Sequence, residues 1–222
     1  SGVGTPSRLV KALVGRAPEL RDVEVVHMMT LGSADYTKPE YEGRFRHRGL
    51  FIGQNTRDAV VAGRADYTPI FLSEIEGLFT SGQLPLDVVL MQVSPPDAHG
   101  FVSLGTTVDC TLTASRCATT VVAEVNEQMP RTHGDTFIHV SHIRAIVETD
   151  RPLLELKTEP FTEMHLRVAR NVASLIPDGA TLQTGIGCIP DAVLTCLDGK
   201  RELGIHTEMF SDRVVDLVDR RH

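Results

Sequence analysis

Short, valine-rich apolar runs alternate with helix-like segments along this chain, and this alternation is the strongest constraint on its fold. Residues 23–31 (VEVVHMMTL) predict a strand dominated by apolar residues. Residues 87–93 (DVVLMQV) and 119–125 (TTVVAEV) are typical of strands covered on both faces. Strands separated by helices pair in parallel, because each crossover returns the chain to the same end of the sheet. The sequence therefore predicts an α/β fold with an open, mostly parallel sheet and helices on both faces.

Several segments between these runs have the periodicity of amphipathic helices. Thr5-Pro6 precedes the first, whose apolar stripe is Leu9, Val10, Leu13 and Val14. Residues 72–79 form a second, and Thr162 precedes a third with the stripe Val168, Val172, Leu175 and Ile176. Residues 33–55 show no clear period and predict a long loop with a short helix. Residues 151–161 contain two prolines and predict a link between two halves of the sheet.

Composition argues against several classes of protein. The formal net charge of −7 argues against a nucleic-acid partner, which would require a basic patch. No stretch approaches the ~20 apolar residues of a membrane span. The cysteines have no C-x-x-C spacing, and the nine histidines form no H-E-x-x-H motif. We therefore expect no metal site, reduced thiols and a cytoplasmic protein.

Residues 181–212 (TLQTGIGCIPDAVLTCLDGKRELGIHTEMFSD) contain the pattern of a functional site. A buried strand leads into the turn Gly185-Ile186-Gly187, and a helix beginning near Pro190 follows. A Gly-x-Gly turn lets a ligand approach the backbone, because no Cβ stands in the way. The N-terminus of the helix offers free N–H groups to an anion or an oxyanion. A second strand then carries the lone carboxylate of Glu208, which we expect to face the turn.

On the residues alone, the turn fits a nucleotide site or a simple strand-to-helix connection. Gly185 and Gly187 match two glycines of the dinucleotide fingerprint, and Glu208 falls about where its ribose-binding acid would lie. Pro190 replaces the third glycine, which that fold needs for close packing of helix and strand. In an alternating strand His206 shares the face of Glu208. This histidine either orients the carboxylate or is a satisfied core residue.

Two further segments follow predicted strands. Residues 93–101 (VSPPDAHGF) lie at a carboxyl end, where open α/β sheets bind ligands, so they either line the site or form a tight turn. If they line the site, residues 94–100 and 185–189 should lie on the same rim of the sheet. Residues 124–127 (EVNE) also end a strand, and there a solvated strand end is favoured over a functional role.

Several long strings resemble the acetyl-CoA hydrolase/transferase family, and within it the 4-hydroxybutyrate or butyryl CoA-transferases. The strings are MTLGSADYTKPEY, VSPPDAHGF, VVAEVNEQMP, GDTFIHVSHI, LQTGIGCIPDAVL and LGIHTEMFSDRVVDL. They occur in the family's order and cover nearly the whole chain, so the resemblance is specific.

This resemblance implies roles for individual residues. Glu208 corresponds to the nucleophilic glutamate of the family's H-[ST]-E-M segment. The family's G-I-G-x-I loop, which contacts coenzyme A, carries over to Gly185, Ile186, Gly187, Cys188 and Ile189. The implied enzyme moves CoA between an acyl-CoA and a short-chain carboxylate of 4-hydroxybutyrate, butyrate or acetate type, through a glutamyl-CoA thioester. Acyl-CoA is then a substrate, no cofactor is bound permanently, and the intact enzyme is a homo-oligomer.

Two departures from the family pattern bear on this interpretation. The family has two similar α/β halves, so residues 1–222 are expected to form its N-terminal domain without the first strand and without the C-terminal domain. The missing half supplies a glycine loop that stabilises an oxyanion, and we therefore expect the chain alone to be inactive. Arg213 stands where the family has glycine, and if that position has positive φ, arginine costs about 1 kcal/mol and displaces the tail.

Three hypotheses of different classes follow. The first is half of a CoA-transferase with Glu208 as the nucleophile. The second is a related CoA thioesterase, an acetyl-CoA hydrolase, in which water replaces the acceptor carboxylate. The third is a non-catalytic fragment that binds CoA weakly or not at all.

Overall fold

A computed structural model describes residues 2–157 and 159–220. The chain divides into two compact units, with the boundary between Leu156 and Lys157. In both units helices alternate with strands that pair mostly in parallel, so the predicted α/β class is confirmed. The boundary falls within residues 151–161, where the sequence predicts a link, although Thr158 lies outside the described residues.

The first unit is built of short strands connected by helices and turns. Its elements in chain order are α1 (Ser7–Gly15), β1 (Val23–His27), β2 (Phe45–Gly49), α2 (Gln54–Val61), β3 (Ala65–Tyr67), α3 (Leu72–Thr80), β4 (Val88–Val93), β5 (Phe101–Ser103), α4 (Thr111–Cys117), β6 (Thr120–Asn126), β7 (Phe137–His139) and β8 (Ala145–Thr149). Parallel pairing joins β1, β2 and β3 in that order, and β4, β6 and β8 in that order. An antiparallel pair is formed by β5 and β7.

The main core of this unit surrounds β4 and β6, which the valine-rich runs predict correctly. In the parallel register Val89 pairs with Val121, and Met91 pairs with Ala123. All four side chains are buried, and Ala123 has no exposed surface. Burial of one of the larger apolar side chains stabilises the fold by about 1.5–3 kcal/mol. These two strands therefore contribute much of the stability of the unit.

Strand β2 lies within residues 33–55, where the sequence predicts a long loop. Its sequence, FRHRG, alternates between buried residues, which are Phe45, His47 and Gly49, and arginines that point outward. Arg46 forms an ion pair with Asp66 on β3, and Arg48 forms one with Glu24 on β1. The strand was missed because its outward face is cationic, and the acidic partners that stabilise it lie about twenty residues away in the chain.

Glu124, predicted at a solvated strand end, is instead 0% exposed inside β6. Its Oε2 accepts hydrogen bonds from the backbone N–H groups of Arg8 at 3.0 Å and Leu9 at 3.5 Å, in the first turn of α1. Its Oε1 accepts the Nε–H of Arg151 at 2.8 Å, and the same guanidinium donates to the Thr5 carbonyl at 3.0 Å. The carboxylate therefore caps a helix and neutralises a partly buried cation, which excludes a solvated position for Glu124. Glu127, just after the strand, is exposed as predicted.

His27 and His47 form a stacked pair between β1 and β2, with ring centroids 4.2 Å apart. The Nε2 of His27 lies 2.6 Å from the Tyr36 hydroxyl, and the Nδ1 of His47 lies 2.8 Å from the Val25 carbonyl oxygen. Burial, together with the neighbouring His47, lowers the pKa of His27 to about 3. Burial also lowers the pKa of His47. Both rings are therefore neutral in the folded protein at pH 7.

This pair should make the first unit acid-sensitive. In the unfolded chain His27 has a pKa near 6.5, so below that pH the unfolded state binds a proton that the folded state does not bind. The free energy of unfolding keeps its full value above pH 6.5 and falls as the pH drops toward 3. At pH 5 the loss from His27 alone is about 2 kcal/mol. We expect urea unfolding at pH 7.5 and 5.0 to show this loss.

The matched variants are His27→Gln and His142→Gln. Glutamine at position 27 keeps a hydrogen-bonding group for Tyr36 but does not titrate, so this variant should lose about 2 kcal/mol less than the wild type on going to pH 5. His142 is exposed, so His142→Gln is the control for replacing a histidine outside the core. Equal pH dependence in the wild type and His27→Gln would contradict a neutral buried His27.

The second unit is smaller and contains α5 (Glu163–Ser174), β9 (Thr181–Leu182), α6 (Cys188–Thr195), β10 (Gly204–Ile205) and α7 (Asp212–Asp219). The two strands pair in parallel. The start of α5 is as predicted, since the Thr162 hydroxyl accepts the His165 N–H at 3.3 Å. Its predicted apolar stripe is correct in part: Ile176 packs against the core and Val168 is partly buried. Val172 and Leu175 are exposed, and Ala169 and Ala173 are the fully buried residues of this helix. The core comprises Ala173, Leu194, Leu197, Val214 and Leu217.

Candidate functional site

The glycine turn connects β9 to α6, so residues 185–189 follow the carboxyl end of a parallel strand, as predicted. Pro190 is the third residue of α6 and lies in its first turn, also as predicted. Gly187 precedes the helix with φ 108° and ψ −178°, a conformation that is essentially restricted to glycine. This glycine lets the chain pass from the turn after β9 into the helix.

The first turn of α6 is open to a ligand. No side chain caps it, and its first intrahelical bond from a non-proline N–H runs from Asp191 to the Gly187 carbonyl at 3.1 Å. The backbone N–H groups at the start of a helix have no partner within the helix. Ile186 and Ile189 are 38% and 46% exposed, so the turn is accessible from outside. The arrangement suits an anionic or oxyanionic group.

Glu208 lies beyond its predicted strand. Strand β10 ends at Ile205, and Glu208 is an exposed residue in a bend three positions later. The predicted strand alternation between His206 and Glu208 is therefore wrong. The backbone leaves the ladder after the N–H of His206 donates to the Leu182 carbonyl at 2.9 Å. His206 is exposed, which excludes a core histidine.

The side chain of Thr207 links the Glu208 segment to the glycine turn. Its hydroxyl accepts the N–H of Thr184 at 3.0 Å and lies 2.8 Å from the Thr184 carbonyl oxygen. Thr184 directly precedes Gly185, and Thr207 directly precedes Glu208. The structure therefore brings the two predicted parts of the site together at the carboxyl ends of adjacent parallel strands. The sequence analysis did not identify either threonine. Their positions directly before Gly185 and Glu208 could have indicated a role in the site.

A groove of about 240 Å³ adjoins the turn in the same unit. Thr184 and Gly185 form part of its wall, so an apolar surface lies directly beside the turn's backbone. Most of the remaining lining is aliphatic: Val172, Ile176, Leu182, Ile189, Val193 and Leu194. A ligand held at the turn could place an apolar chain here.

Three buried polar atoms of the second unit lack hydrogen-bond partners among the described residues. They are Thr184 Oγ1, Asp191 Oδ1 and Ser211 Oγ. Buried polar groups are normally hydrogen-bonded, and an unpaired one costs about 1–3 kcal/mol. Thr184 follows β9, Asp191 lies in the first turn of α6, and Ser211 is the N-cap residue of α7. Each therefore lies between the carboxyl end of a strand and the first turn of the next helix, where ligands bind in α/β proteins.

Arg213 does not strain the chain. It is the second residue of α7, and among the described residues it is not one of the non-glycine residues with positive φ. Its Nη1 donates to Asp216 at 2.8 Å, and its guanidinium lies 5.6 Å from the centroid of the Phe161 ring. The expected backbone penalty is therefore absent, and helix α7 forms with arginine at this position.

Residues 93–101 form a tight turn in the first unit. The Asp97 carboxylate accepts the N–H groups of Phe101 at 2.8 Å and His99 at 2.9 Å, and it forms an ion pair with Arg131 at 2.6 Å. The Phe101 and His99 N–H groups hold the pKa of the Asp97 carboxyl below its usual value. The tight turn is thus confirmed. A common rim with 185–189 stays a prediction, because those residues belong to the other unit.

Other features of a site are not found in the described residues. No group of three or more His, Cys, Asp or Glu side chains there could hold a metal ion. None of the helices within 2–157 and 159–220 is long and apolar enough to cross a membrane. The thiols of Cys110, Cys117, Cys188 and Cys196 are free, and burial raises the pKa of Cys110 to about 12.

Fold and site together define a parallel α/β protein with a glycine turn and an exposed carboxylate at the ends of neighbouring strands. The chain belongs to the acetyl-CoA hydrolase/transferase family, since residues 1–155 match that family's N-terminal domain. The match coincides with the first unit, and the turn and Glu208 lie in the second.

Individual relatives match both units. The chain is 52% identical to 4-hydroxybutyrate coenzyme A transferase of Clostridium kluyveri, over 97% of this chain and 50% of the relative. It is 48% identical to the succinyl-CoA:acetate/propanoyl-CoA:succinate CoA transferase of Fasciola hepatica, over 98% of this chain and 46% of the relative. The crystal structure of 4-hydroxybutyrate CoA-transferase from Porphyromonas gingivalis superposes with a TM-score of 0.83 and 38% identity, covering 99% of this chain and 51% of that one. The chain therefore spans about half the length of these relatives.

Proposed function

We propose that residues 1–222 act as the N-terminal, nucleophile-bearing half of a CoA-transferase that uses short-chain carboxylates of 4-hydroxybutyrate, butyrate or acetate type. The observation that carries the proposal is the Thr207–Thr184 link, which joins the Glu208 segment to the open glycine turn. Transferase chemistry is favoured over hydrolysis because the relatives described above are named CoA transferases. The proposal includes a homo-oligomeric enzyme in the cytoplasm, where its thiols stay reduced.

The proposed reaction begins at the Glu208 carboxylate. A carboxylate oxygen attacks the thioester carbonyl of an acyl-CoA, and collapse of the tetrahedral intermediate gives a mixed anhydride and CoA thiolate. The thiolate then attacks the glutamyl carbonyl, which releases the acyl group as a free carboxylate and leaves CoA on Glu208 as a thioester. An acceptor carboxylate reverses these steps, forming a new acyl-CoA and regenerating Glu208. No proton is consumed overall.

The glycine turn would supply binding and electrostatic stabilisation. Residues Gly185, Ile186, Gly187, Cys188 and Ile189 would contact CoA, with N–H groups at the start of α6 directed toward negative charge. The adjoining groove would hold an apolar part of the substrate. Both the turn and the groove are accessible to a ligand from outside the second unit.

Activity is best tested in a fusion of this chain to the half of the Clostridium kluyveri relative that the alignment leaves unmatched. The fusion should transfer CoA from butyryl-CoA or acetyl-CoA to 4-hydroxybutyrate or acetate, measured by chromatography of the CoA esters. We expect little or no turnover from the 222-residue chain alone, because half of the CoA contacts and the oxyanion loop would be missing. A folded fusion without transfer would contradict the proposal, and robust turnover by the chain alone would contradict the need for a second half.

Alanine substitutions at the two glycines of the turn should have different effects. At Gly185 the nearest atom to an added Cβ is Pro190 Cγ at 3.6 Å, so the protein itself tolerates alanine. A methyl group there would occupy the ligand's space, and we expect KM for acyl-CoA to rise about tenfold with an unchanged melting temperature. At Gly187 the φ of 108° makes alanine strained, which should cost about 1–3 kcal/mol of stability.

Melting curves and initial rates of both variants in the fusion separate these effects. Unchanged KM in Gly185→Ala would show that CoA does not approach the backbone at this residue. A Gly187→Ala variant with wild-type stability and kinetics would show that the turn does not require glycine at this position.

A further inference from the structure

The hydroxyl of Thr207 replaces backbone pairing where the chain leaves β10. The parallel ladder pairs Gly204 with Thr181 and Ile205 with Leu182, and then ends after one more bond. At the next step the Thr207 side chain supplies the acceptor for the Thr184 N–H at 3.0 Å and a donor for the Thr184 carbonyl at 2.8 Å. A side chain thus extends the contact between the two strands by one position.

The same hydroxyl also closes a ring around Glu208. It lies 3.0 Å from the carbonyl oxygen of Met209, so it contacts the backbone on the far side of Glu208. A hydroxyl has one proton, which the Thr184 and Met209 carbonyls share, while its lone pair accepts the Thr184 N–H. Among the described residues no hydrogen bond or ion pair engages the Glu208 carboxylate itself. Its position is therefore set by the backbone that Thr207 holds.

We infer that Thr207 is a positioning residue, which holds the Glu208 backbone in register with the glycine turn. The inference rests on the proposed function of Glu208 as the nucleophile. A nucleophile that shifts by about 1 Å can lose about 100-fold in rate, because the reacting atoms no longer meet. The Thr207 hydroxyl reaches the turn only at Thr184, whereas the backbone of Gly187 and the start of α6 are fixed by the helix, so its removal should affect the chemical step more than CoA binding.

The first test uses the full 222-residue chain and needs no activity. Three variants are compared by amide hydrogen exchange with mass spectrometry: Thr207→Val, Thr207→Ser and Thr195→Val. Thr195 is the matched control, because its hydroxyl makes one local bond to the Ala192 carbonyl at 2.7 Å within α6. We expect exchange of the Thr184 and His206 amides to rise about tenfold or more in Thr207→Val alone, since the Thr184 N–H donates to the Thr207 hydroxyl and the His206 N–H closes the end of the ladder beside it.

The second test measures the reaction in the fusion enzyme. Thr207→Val should lower kcat and the rate of covalent loading of Glu208 by about 30-fold or more, with KM for acyl-CoA changed less than about threefold. Serine keeps the hydroxyl, so Thr207→Ser should stay within about threefold of the wild type. Thr195→Val should match the wild type in both measurements.

The outcomes separate this inference from the proposed function. If the wild-type fusion never loads Glu208, the proposed function fails, and the exchange data still decide whether Thr207 orders this segment. Wild-type exchange and kcat in Thr207→Val would overturn the inference, as would failure of serine to restore kcat. Loss of helical circular dichroism in Thr207→Val would also overturn it, since the hydroxyl would then maintain the whole unit rather than position Glu208.

Discussion

Replacement of Glu208 by glutamine is expected to lower CoA transfer by the fusion enzyme on the order of 1,000-fold or more. An amide is a poor nucleophile and cannot form the acyl anhydride, so the covalent route closes, while the similar shape of glutamine leaves substrate binding largely intact. The change should therefore appear in kcat and much less in KM. Chromatographic assay of the CoA esters at saturating substrate measures it directly.

Covalent loading provides a second readout of the same residue. With acyl-CoA and no acceptor, the wild-type enzyme should accumulate a glutamyl-CoA thioester, which borohydride reduces and peptide mass spectrometry locates. Glu202→Gln is the matched control, because Glu202 is an exposed carboxylate in the loop just before β10. It should transfer and load like the wild type. Wild-type transfer by Glu208→Gln would show that another residue is the nucleophile.

Replacement of Glu124 by alanine should have the largest effect on folding, with a loss of about 3–5 kcal/mol in the free energy of unfolding. The variant leaves the partly buried guanidinium of Arg151 without its countercharge and removes the acceptor for the Arg8 N–H. A globular domain is typically stable by only about 5–15 kcal/mol, so the first unit would be marginal. Chemical unfolding followed by circular dichroism measures the difference.

Asp135→Ala is the appropriate control for this prediction. Asp135 pairs with Arg116 at 3.3 Å, and their side chains are 79% and 60% exposed. Because solvent screens an exposed pair, its loss should change stability by no more than about 0.5 kcal/mol. Equal effects of the two substitutions would show that burial of Glu124 does not strengthen its interactions.

Local sequence patterns predicted the strands at the centre of the main core. The valine-rich runs correspond to β4 and β6. Such strands can be predicted from local sequence, because an apolar strand buried on both faces does not depend on a specific polar partner. The order strand, glycine turn, helix and strand placed residues 185–189 and Glu208 at the same end of two neighbouring strands. This placement follows from topology, since parallel strands end on the same side.

Features that depend on distant partners were not predictable in the same way. The polar strand β2 is stabilised by acidic residues on β1 and β3, and Glu124 is buried because α1 and Arg151 satisfy it. Likewise, Thr207 gains its role from a contact with Thr184, 23 positions earlier. Burial of a polar side chain is favourable only when its partners are present, and a local pattern does not reveal them.

The cap that Glu124 provides for α1 also has a consequence during synthesis of the chain. The carboxylate lies 116 positions after Arg8, whose N–H it accepts. At 5–20 residues per second, α1 leaves the ribosome roughly 6–23 s before Glu124 does. During this interval the first helix has an uncapped N-terminus, and Leu9 and Val14, which are buried in the folded unit, have no completed core to enter. Helix α1 therefore emerges well before the residue that caps it, and it can complete its docking only after β6 has been made.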